Sequence, residues 1–261
     1  MEAIIAVILM LMVALLFSPL GLGGGVLYVP ILHYIAGWDF IEAILASLAM
    51  VLMVAVGSSI AHSKSGHSNP KIANIGRLTA VPSAILGSIL AWLIITNVSD
   101  IINKILAIMI LIFVIERILR TNEETFEKPD NLRVYKIGTA FGGLASGMLG
   151  IGGGAVFVTM NHSFLGMDIR TSAGTSYMIS MAVVPVALLT HLIFDGTIGD
   201  VLDKTGYLVA VFVPIGGILS SYFGAKFAIQ HLPKKVITYI FISAVSLGLL
   251  RYIWDVIQLI Q

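Results

Sequence analysis

The stretch Gly21-Leu22-Gly23-Gly24-Gly25-Val26-Leu27-Tyr28-Val29-Pro30 returns as Gly150-Ile151-Gly152-Gly153-Gly154-Ala155-Val156-Phe157-Val158-Thr159. Gly150 stands 129 positions after Gly21 in a chain of 261 residues. The match runs on without a gap: His33 aligns with His162, Gly37 with Gly166, Asp39 with Asp168 and Ser47 with Ser176. At the same offset His62 falls on His191. Nine of the 27 positions from Gly21 to Ser47 are identical between the copies. Two halves built on one plan constrain the fold before any single element does.

Composition places both halves in a bilayer. Hydrophobic residues make up 58% of the chain and charged residues 11%, against roughly 25% charged in soluble domains. So few charges cannot cover a water-facing surface. Apolar runs of about 20 residues, the length that spans a hydrocarbon core, recur throughout. A transmembrane barrel would show short alternating segments instead. The expected class is an all-α polytopic membrane protein. A net charge of +1 leaves no footprint for nucleic acid, and the absence of cysteine removes disulfides and thiolate metal sites. Met1-Glu2-Ala3-Ile4 carries no positive region and reads as folded chain, not as a cleaved leader.

Residues 3–18 read as an apolar helix ending near Ser18-Pro19. The glycine run follows. Residues 26–36 then form a second helix of about 16 Å, too short for a core of about 30 Å. The pair reads as a broken hairpin dipping into the membrane. Spans are expected over 43–62, 78–96 and 104–120. The polar run from Thr121 to Arg133 separates the halves: a first repeat over 1–120, a linker over 121–133 and a second repeat over 134–261. The second half repeats the order, with a helix over 134–149, a short helix to Leu165, and spans over 171–194, 206–229 and 236–258. Asp195 to Lys204 reads as an acidic loop and His231 to Lys235 as a basic turn.

If each glycine segment is a hairpin, each half crosses the membrane three times and the halves are inverted. Twelve of the 15 Lys and Arg then gather on the cytoplasmic side with the linker, leaving Lys104, Lys204 and Arg251 outside. That is the asymmetry expected of cytoplasmic loops. If each segment were one broken span, the halves would be parallel and the asymmetry would fall. The inverted arrangement is preferred. Inverted repeats with helices broken at mid-membrane are a recurrent transporter plan.

Three glycines in a row inside apolar sequence admit three readings. Small residues let membrane helices approach closely, which accounts for Gly142, Gly143, Gly147, Gly216 and Gly217. A phosphate loop would need Gly-Lys-Ser/Thr, which follows neither run. The third reading is an anion site. The glycines free backbone N–H groups, and the positive end of the next helix points at the gap. Unpaired N–H groups in hydrocarbon cost several kcal/mol each, so such a loop must line a cavity or be satisfied by protein. Two such loops from inverted halves would meet near the midplane and cradle one small anion.

Gly23, Gly24 and Gly25 with Gly152, Gly153 and Gly154 form the core of that candidate site. Thr159 brings a hydroxyl where the first copy has Pro30. Ser47 and Ser176, with Thr175 beside the latter, stand early in the following spans and could donate to the same ligand. A lone Ser in a membrane helix more often bonds back to the preceding turn. His33 and His162 complete the set at repeat-equivalent ends of the short helices: as donors to an anion, as proton acceptors, or as rings fixed at an interface. His62 and His191 sit at span ends and read as ordinary interface residues. Asp39 and Asp168 suit helix N-caps. No Lys, Arg, Asp or Glu falls at the centre of a span, which disfavours a carboxylate cation site. With no metal-ligand cluster and no nucleophile beside a base, no enzyme, metal or cofactor is expected.

These residues resemble the sulfite exporter TauE/SafE family, the TSUP anion permeases. Members look like two related halves, each opening on Gly-x-Gly-Gly-Gly with a following Ser. The stronger form stands here as Ser146-Gly-Met-Leu-Gly-Ile-Gly-Gly-Gly154 with Gly174-Thr-Ser176. The resemblance covers essentially the whole chain. It departs at Thr159, where a proline is common, and at Ala46, where Thr often precedes the first Ser. The resemblance implies sulfur oxyanions or organosulfonates such as sulfite or sulfoacetate. The residues alone support only a small anion.

The expected function is a secondary transporter for such an anion, working by alternating access around the two loops in a multi-pass protein of the cell membrane. No nucleotide motif is present, so the energy is expected from gradients. Proton coupling through His33 or His162 and assembly into a homo-oligomer are compatible with the sequence. A passive anion channel is the alternative, although its pore would carry Lys or Arg rings; a non-transporting membrane scaffold is another. The Lys/Arg asymmetry yields a direct test, because single introduced cysteines label cleanly in a chain with none. Asp200→Cys is expected to react with an impermeant thiol reagent added outside, and Lys234→Cys to be protected. The reverse pattern would sink this orientation.

Overall fold

A computed structural model describes residues 2–97, 101–123 and 131–260. It is 88% helical with no strand among the described residues. Residues 124–130 of the expected linker lie outside them. The helices are α1 (Glu2–Phe17), α2 (Gly25–Pro30), α3 (Phe40–Lys64), α4 (Pro70–Asn97), α5 (Ile101–Glu123), α6 (Leu132–Leu149), α7 (Gly154–Thr159), α8 (Ile169–Phe194), α9 (Ile198–Thr205), α10 (Tyr207–His231) and α11 (Lys234–Ile260). Among the described residues, five stretches are long and apolar enough to cross a membrane: Glu2–Leu20, Phe40–Lys64, Pro70–Ile94, Ile169–Phe194 and Tyr207–His231. α5 and α11, with 23 and 27 residues, match them in length and pack on one another.

Both glycine segments reverse the chain. Gly21, Gly23 and Gly24 lie at φ 80°, 70° and 82°, and Gly150, Gly152 and Gly153 at 67°, 73° and 67°. A side chain disfavours that left-handed region, so the reversal is written in the glycines. The short helices α2 and α7 each continue as one π turn, Ile31–Ile35 and Met160–Phe164. They fold back on the long helices before them. Ile31–Ile35 packs on α1, and a Cβ on Gly138 of α6 would run into the Met160 side chain. One on Gly142 would stand 2.6 Å from the Phe157 ring. A single broken span could not make these contacts, so each segment is a hairpin.

Equivalent spans run antiparallel. The start of α8 lies against the end of α3, where Gly174 abuts His62 and Asn69 N donates to Thr175 Oγ1 at 3.0 Å. The start of α3 meets the chain beyond α8, where Lys204 Nζ donates to both Glu42 oxygens at 2.8 and 2.6 Å. The repeats are therefore inverted, as the sequence reading preferred. Asp39 precedes α3 and its N–H donates to Glu42 at 3.0 Å; Asp168 accepts from Arg170 N at 3.1 Å. Both are N-caps, as expected.

The largest helix–helix interfaces all join one repeat to the other: α4 with α6, α3 with α10, α4 with α8, α3 with α8, α1 with α10, and α5 with α11. The long arm of each hairpin packs on the second span of the opposite repeat. The two halves therefore bury much of their apolar surface on each other. α4 and α6 share the largest of these interfaces. Cβ atoms at Gly87, Gly143 and Gly147 would strike the carbonyls of Leu144, Ala80 and Ala84, the close approach that small residues permit between membrane helices.

One detail differs from the sequence reading. Residues 198–205, expected within a loop, form α9; its Val201 is buried, and the Glu42 carboxylate raises the Lys204 ammonium above its ordinary value. Lys104, which the charge pattern places on the outer side, is buried and paired with Asp255 of α11 at 2.6 Å. That pair ties α5 to α11 where a lone charge would be costly. The α4–α6 crossing gives a stability test. Gly143→Val should destabilise by roughly 1–3 kcal/mol or more, the usual range for overpacking. Gly199→Ala, with open space at its Cβ, should not. Equal thermal unfolding of the two variants would show that the crossing is looser than described.

Candidate functional site

The two glycine loops cross one another inside the bundle. A Cβ on Gly25 would stand 2.5 Å from Ile151 Cα, and one on Gly154 would strike the Gly21 carbonyl. Each short helix therefore begins against the backbone of the opposite loop. Its first N–H groups have no partner within the helix. Val51 of α3 wedges between the loops, against Gly23 and Gly152. The Tyr28 ring covers Gly24 at 2.5 Å from its missing Cβ, and Phe157 covers Gly153 at 2.7 Å. Tyr28 and Phe157 are themselves repeat-equivalent. α3 and α8 reach the loops through residues 47–51 and 176–180, in the first half of each span and fully buried at Ser47 and Ser176, so the crossing lies inside the bundle.

Hydroxyl groups hold the crossing. Ser47 Oγ donates to Gly150 O at 2.8 Å, and Ser176 Oγ donates to Gly21 O at 3.0 Å. Gly21 and Gly150 are repeat-equivalent, so the two serines exchange the same bond across the pseudo-twofold axis. Both serines are fully buried. Ser176 also reaches Gly154 O at 3.2 Å, and Ser180 Oγ donates to Gly152 O at 3.1 Å. The Tyr177 hydroxyl donates to Phe17 O at 3.1 Å and accepts from Gly23 N at 3.4 Å.

Six glycines and two serines of the sequence-derived set thus meet at one place. The remaining members stand apart from it. Thr159 Oγ1 bonds back to Ala155 O at 2.9 Å, and Thr175 Oγ1 receives Asn69 N. His33 Nδ1 and His162 Nδ1 each sit 2.7 Å from a carbonyl, Trp38 O and Met167 O. Those are repeat-equivalent positions at the far end of each hairpin, so both rings fasten the turn that leads into the next span.

His62 and His191 correct the interface reading. Both are fully buried. His62 Nε2 lies 3.4 Å from Ser18 O, and His191 Nε2 lies 2.7 Å from Gly147 O. Ser18 and Gly147 are repeat-equivalent and immediately precede the glycine loops. Carbonyls at the end of a helix lack intrahelical donors, and these rings turn inward to supply them. The shared offset of 129 carried that signal. Tyr177 and Ser180 had no such signal, because their counterparts Leu48 and Val51 are apolar.

Clefts among the described residues lie elsewhere. One, of about 540 Å³, is apolar and sits between α5, α6 and the second short helix, with Phe113, Phe141 and Met160 in its wall. Another, of about 310 Å³, lies between α2 and Arg251 of α11. Neither includes the glycines of the crossing.

Residues 6–252 match the family model described as sulfite exporter TauE/SafE. The chain belongs to that family. No curated protein and no solved structure matches it. The sulfite exporter TauE/SafE family implies a membrane transporter of sulfite or related anions, not an enzyme. With the apolar helices, membership makes the chain a multi-pass membrane protein. Each serine supplies one hydroxyl proton to the equivalent loop carbonyl, Gly150 O or Gly21 O, and a buried carbonyl left unpaired costs about 1–3 kcal/mol. Ser47→Ala and Ser176→Ala should therefore each lower thermal stability by an amount in that range. Unchanged unfolding in both variants would contradict this account of the crossing.

Proposed function

We propose that the crossed glycine loops are the anion site of a secondary transporter in the cell membrane. Its substrate class is a sulfur oxyanion or an organosulfonate, such as sulfite or sulfoacetate. The observation that carries this reading is the crossing itself, two helix starts brought against each other's glycine backbone inside an apolar bundle. A helix start offers unpaired N–H donors and a positive dipole end, which suit a compact anion without a fixed cation. The substrate gains hydrogen bonds from the Gly24, Gly25 and Gly152–Gly154 backbone, and from Gly23 N–H in exchange for its Tyr177 bond, and Ser47 and Ser176 tune the loops' carbonyls around it. Alternating access follows from the inverted repeats, because each half can adopt the arrangement of the other. Translocation uses existing gradients.

The test combines binding and flux. In purified protein, at least one of sulfite, sulfate, taurine and sulfoacetate should raise thermal stability, by about 2.7 kcal/mol at a hundredfold excess over Kd. In proteoliposomes the same anion should show saturable counterflow, which a passive channel would not. Gly24→Val and Gly153→Val place a side chain against Tyr28 and Phe157 and should abolish both effects. Gly23→Ala, whose Cβ meets only Val51 at 3.0 Å, should weaken them. Stabilisation that persists in all three folded variants would move the site away from the loops.

A further inference from the structure

His191 of α8 holds both ring nitrogens against acceptors. Nε2 lies 2.7 Å from Gly147 O, and Nδ1 lies 2.6 Å from Asp195 Oδ2. Both side chains of the His–Asp pair are completely buried. A carbonyl oxygen can only accept, so the Nε2 contact is a hydrogen bond when Nε2 carries a proton, and the Nδ1–Oδ2 contact needs a second proton between the two atoms. A neutral imidazole beside a bare carboxylate has only one of these protons. Both contacts are hydrogen bonds together only when the pair holds one proton more, whether written as imidazolium and carboxylate or as imidazole and carboxylic acid. Asp195 Oδ1 is buried without a hydrogen-bond partner, which makes a net negative charge there costly.

The first half lacks this device. His62 makes the equivalent contact to Ser18 O, but at 3.4 Å, and its Nδ1 has no partner. The position equivalent to Asp195 is Gly66. The other ionisable groups on elements packed against α8 are engaged or remote. Arg77 of α4 donates to Met178 O, and Lys71 precedes it by nearly two turns. Arg133 and Lys136 occupy the opposite end of α6 from Gly147. Glu42 of α3 pairs with Lys204 of α9, and Asp200 and Asp203 face solvent. His162 is held on Met167 O. Near the start of α11, Arg170 of α8 reaches the Leu232 carbonyl.

We propose that His191 and Asp195 form the binding site for a coupling proton, acting on the second glycine loop through the Gly147 carbonyl. This rests on the transport reading above. With the proton bound, Nε2–H caps the last turn of α6 and the hairpin is held as described. When the proton leaves, Nδ1 and Oδ2 repel, the ring turns, and the Gly147 carbonyl loses its donor three residues before Gly150. The proton enters from water and returns to water, and no other bond is made or broken. Loop geometry and anion binding are thereby linked to one proton, in one half only.

The experiment has a spectroscopic arm and a flux arm. Asp195→Asn is the informative variant, because the amide can donate to Nδ1 and keep both contacts without the extra proton. In detergent-solubilised protein labelled at ring nitrogens and Asp carboxyls, nuclear magnetic resonance near neutral pH should find the extra proton on His191 or Asp195. A neutral ring beside a bare carboxylate would overturn the proposal. In proteoliposomes, a sulfoacetate gradient should drive proton movement in the parent and in Asp200→Asn. Sulfite replaces it only if sulfoacetate is not carried, because sulfite itself titrates near neutrality. Asp195→Asn should retain counterflow and lose the proton movement. Undiminished proton movement in that variant would also overturn the proposal. If none of the four anions shows counterflow in the parent, the transport reading fails and the coupling fails with it. If counterflow is normal and only the proton signal is absent, the coupling alone is wrong.

Discussion

Two backbones approach across the axis of this fold with no side chain between them. Gly25 rests against Ile151, and Gly154 against Gly21 and Leu22. A single methyl group at either place would force the hairpins apart. The contact leaves carbonyls inside an apolar bundle, and Ser47 and Ser176 supply donors to equivalent ones. The rest of the architecture follows from holding that crossing. α3 and α8 must run antiparallel to present the two serines, and the long hairpin arms must lie against the opposite repeat. His62 and His191 then cap the arms where they turn.

Much of this was legible in the sequence because the repeat is gapless. The offset of 129 identified the glycine loops, the serines and the paired histidines as equivalent sets. Low charge fixed the class, and the length of the short helix suggested a hairpin. Interdigitation of the repeats was not legible. Helix lengths and apolar runs say nothing about which span covers which, and the glycines of the α4–α6 crossing look like any small-residue face. Direction was also hidden. His33 and His162 are nearer the glycine runs in sequence than Ser47 and Ser176, yet the short helices carry them to the far end of each hairpin. Ser47 and Ser176 return to the loops because the chain reverses once more before α3 and α8.

Interlocking has a mechanical consequence. In a protein whose repeats fold separately, one half could tilt against the other at little cost. Here α1 rides on α10 and α6 on α4, so movement of either hairpin arm drags a span of the opposite repeat. On the transport reading, any change of access is therefore shared by both halves, as inverted transporter folds require.

Symmetry then makes the differences between halves informative. The frame is duplicated: glycines, serines, turn-fixing histidines and arm-capping histidines all come in pairs. The second half adds Tyr177, Ser180 and Asp195 where the first has Leu48, Val51 and Gly66. Two of these additions bind loop backbone, Tyr177 at Gly23 and Ser180 at Gly152. The third binds the ring that caps the second hairpin. If the frame were wholly symmetric, its two access states would have equal energy and nothing in the protein would favour either. A polar group present in one half alone makes them unequal. A hydroxyl contributes a fixed bias, whereas a buried carboxylate on a histidine makes the bias depend on a proton. On the transport reading, the unpaired additions are therefore where direction and coupling are set, and the paired residues are where the anion is held.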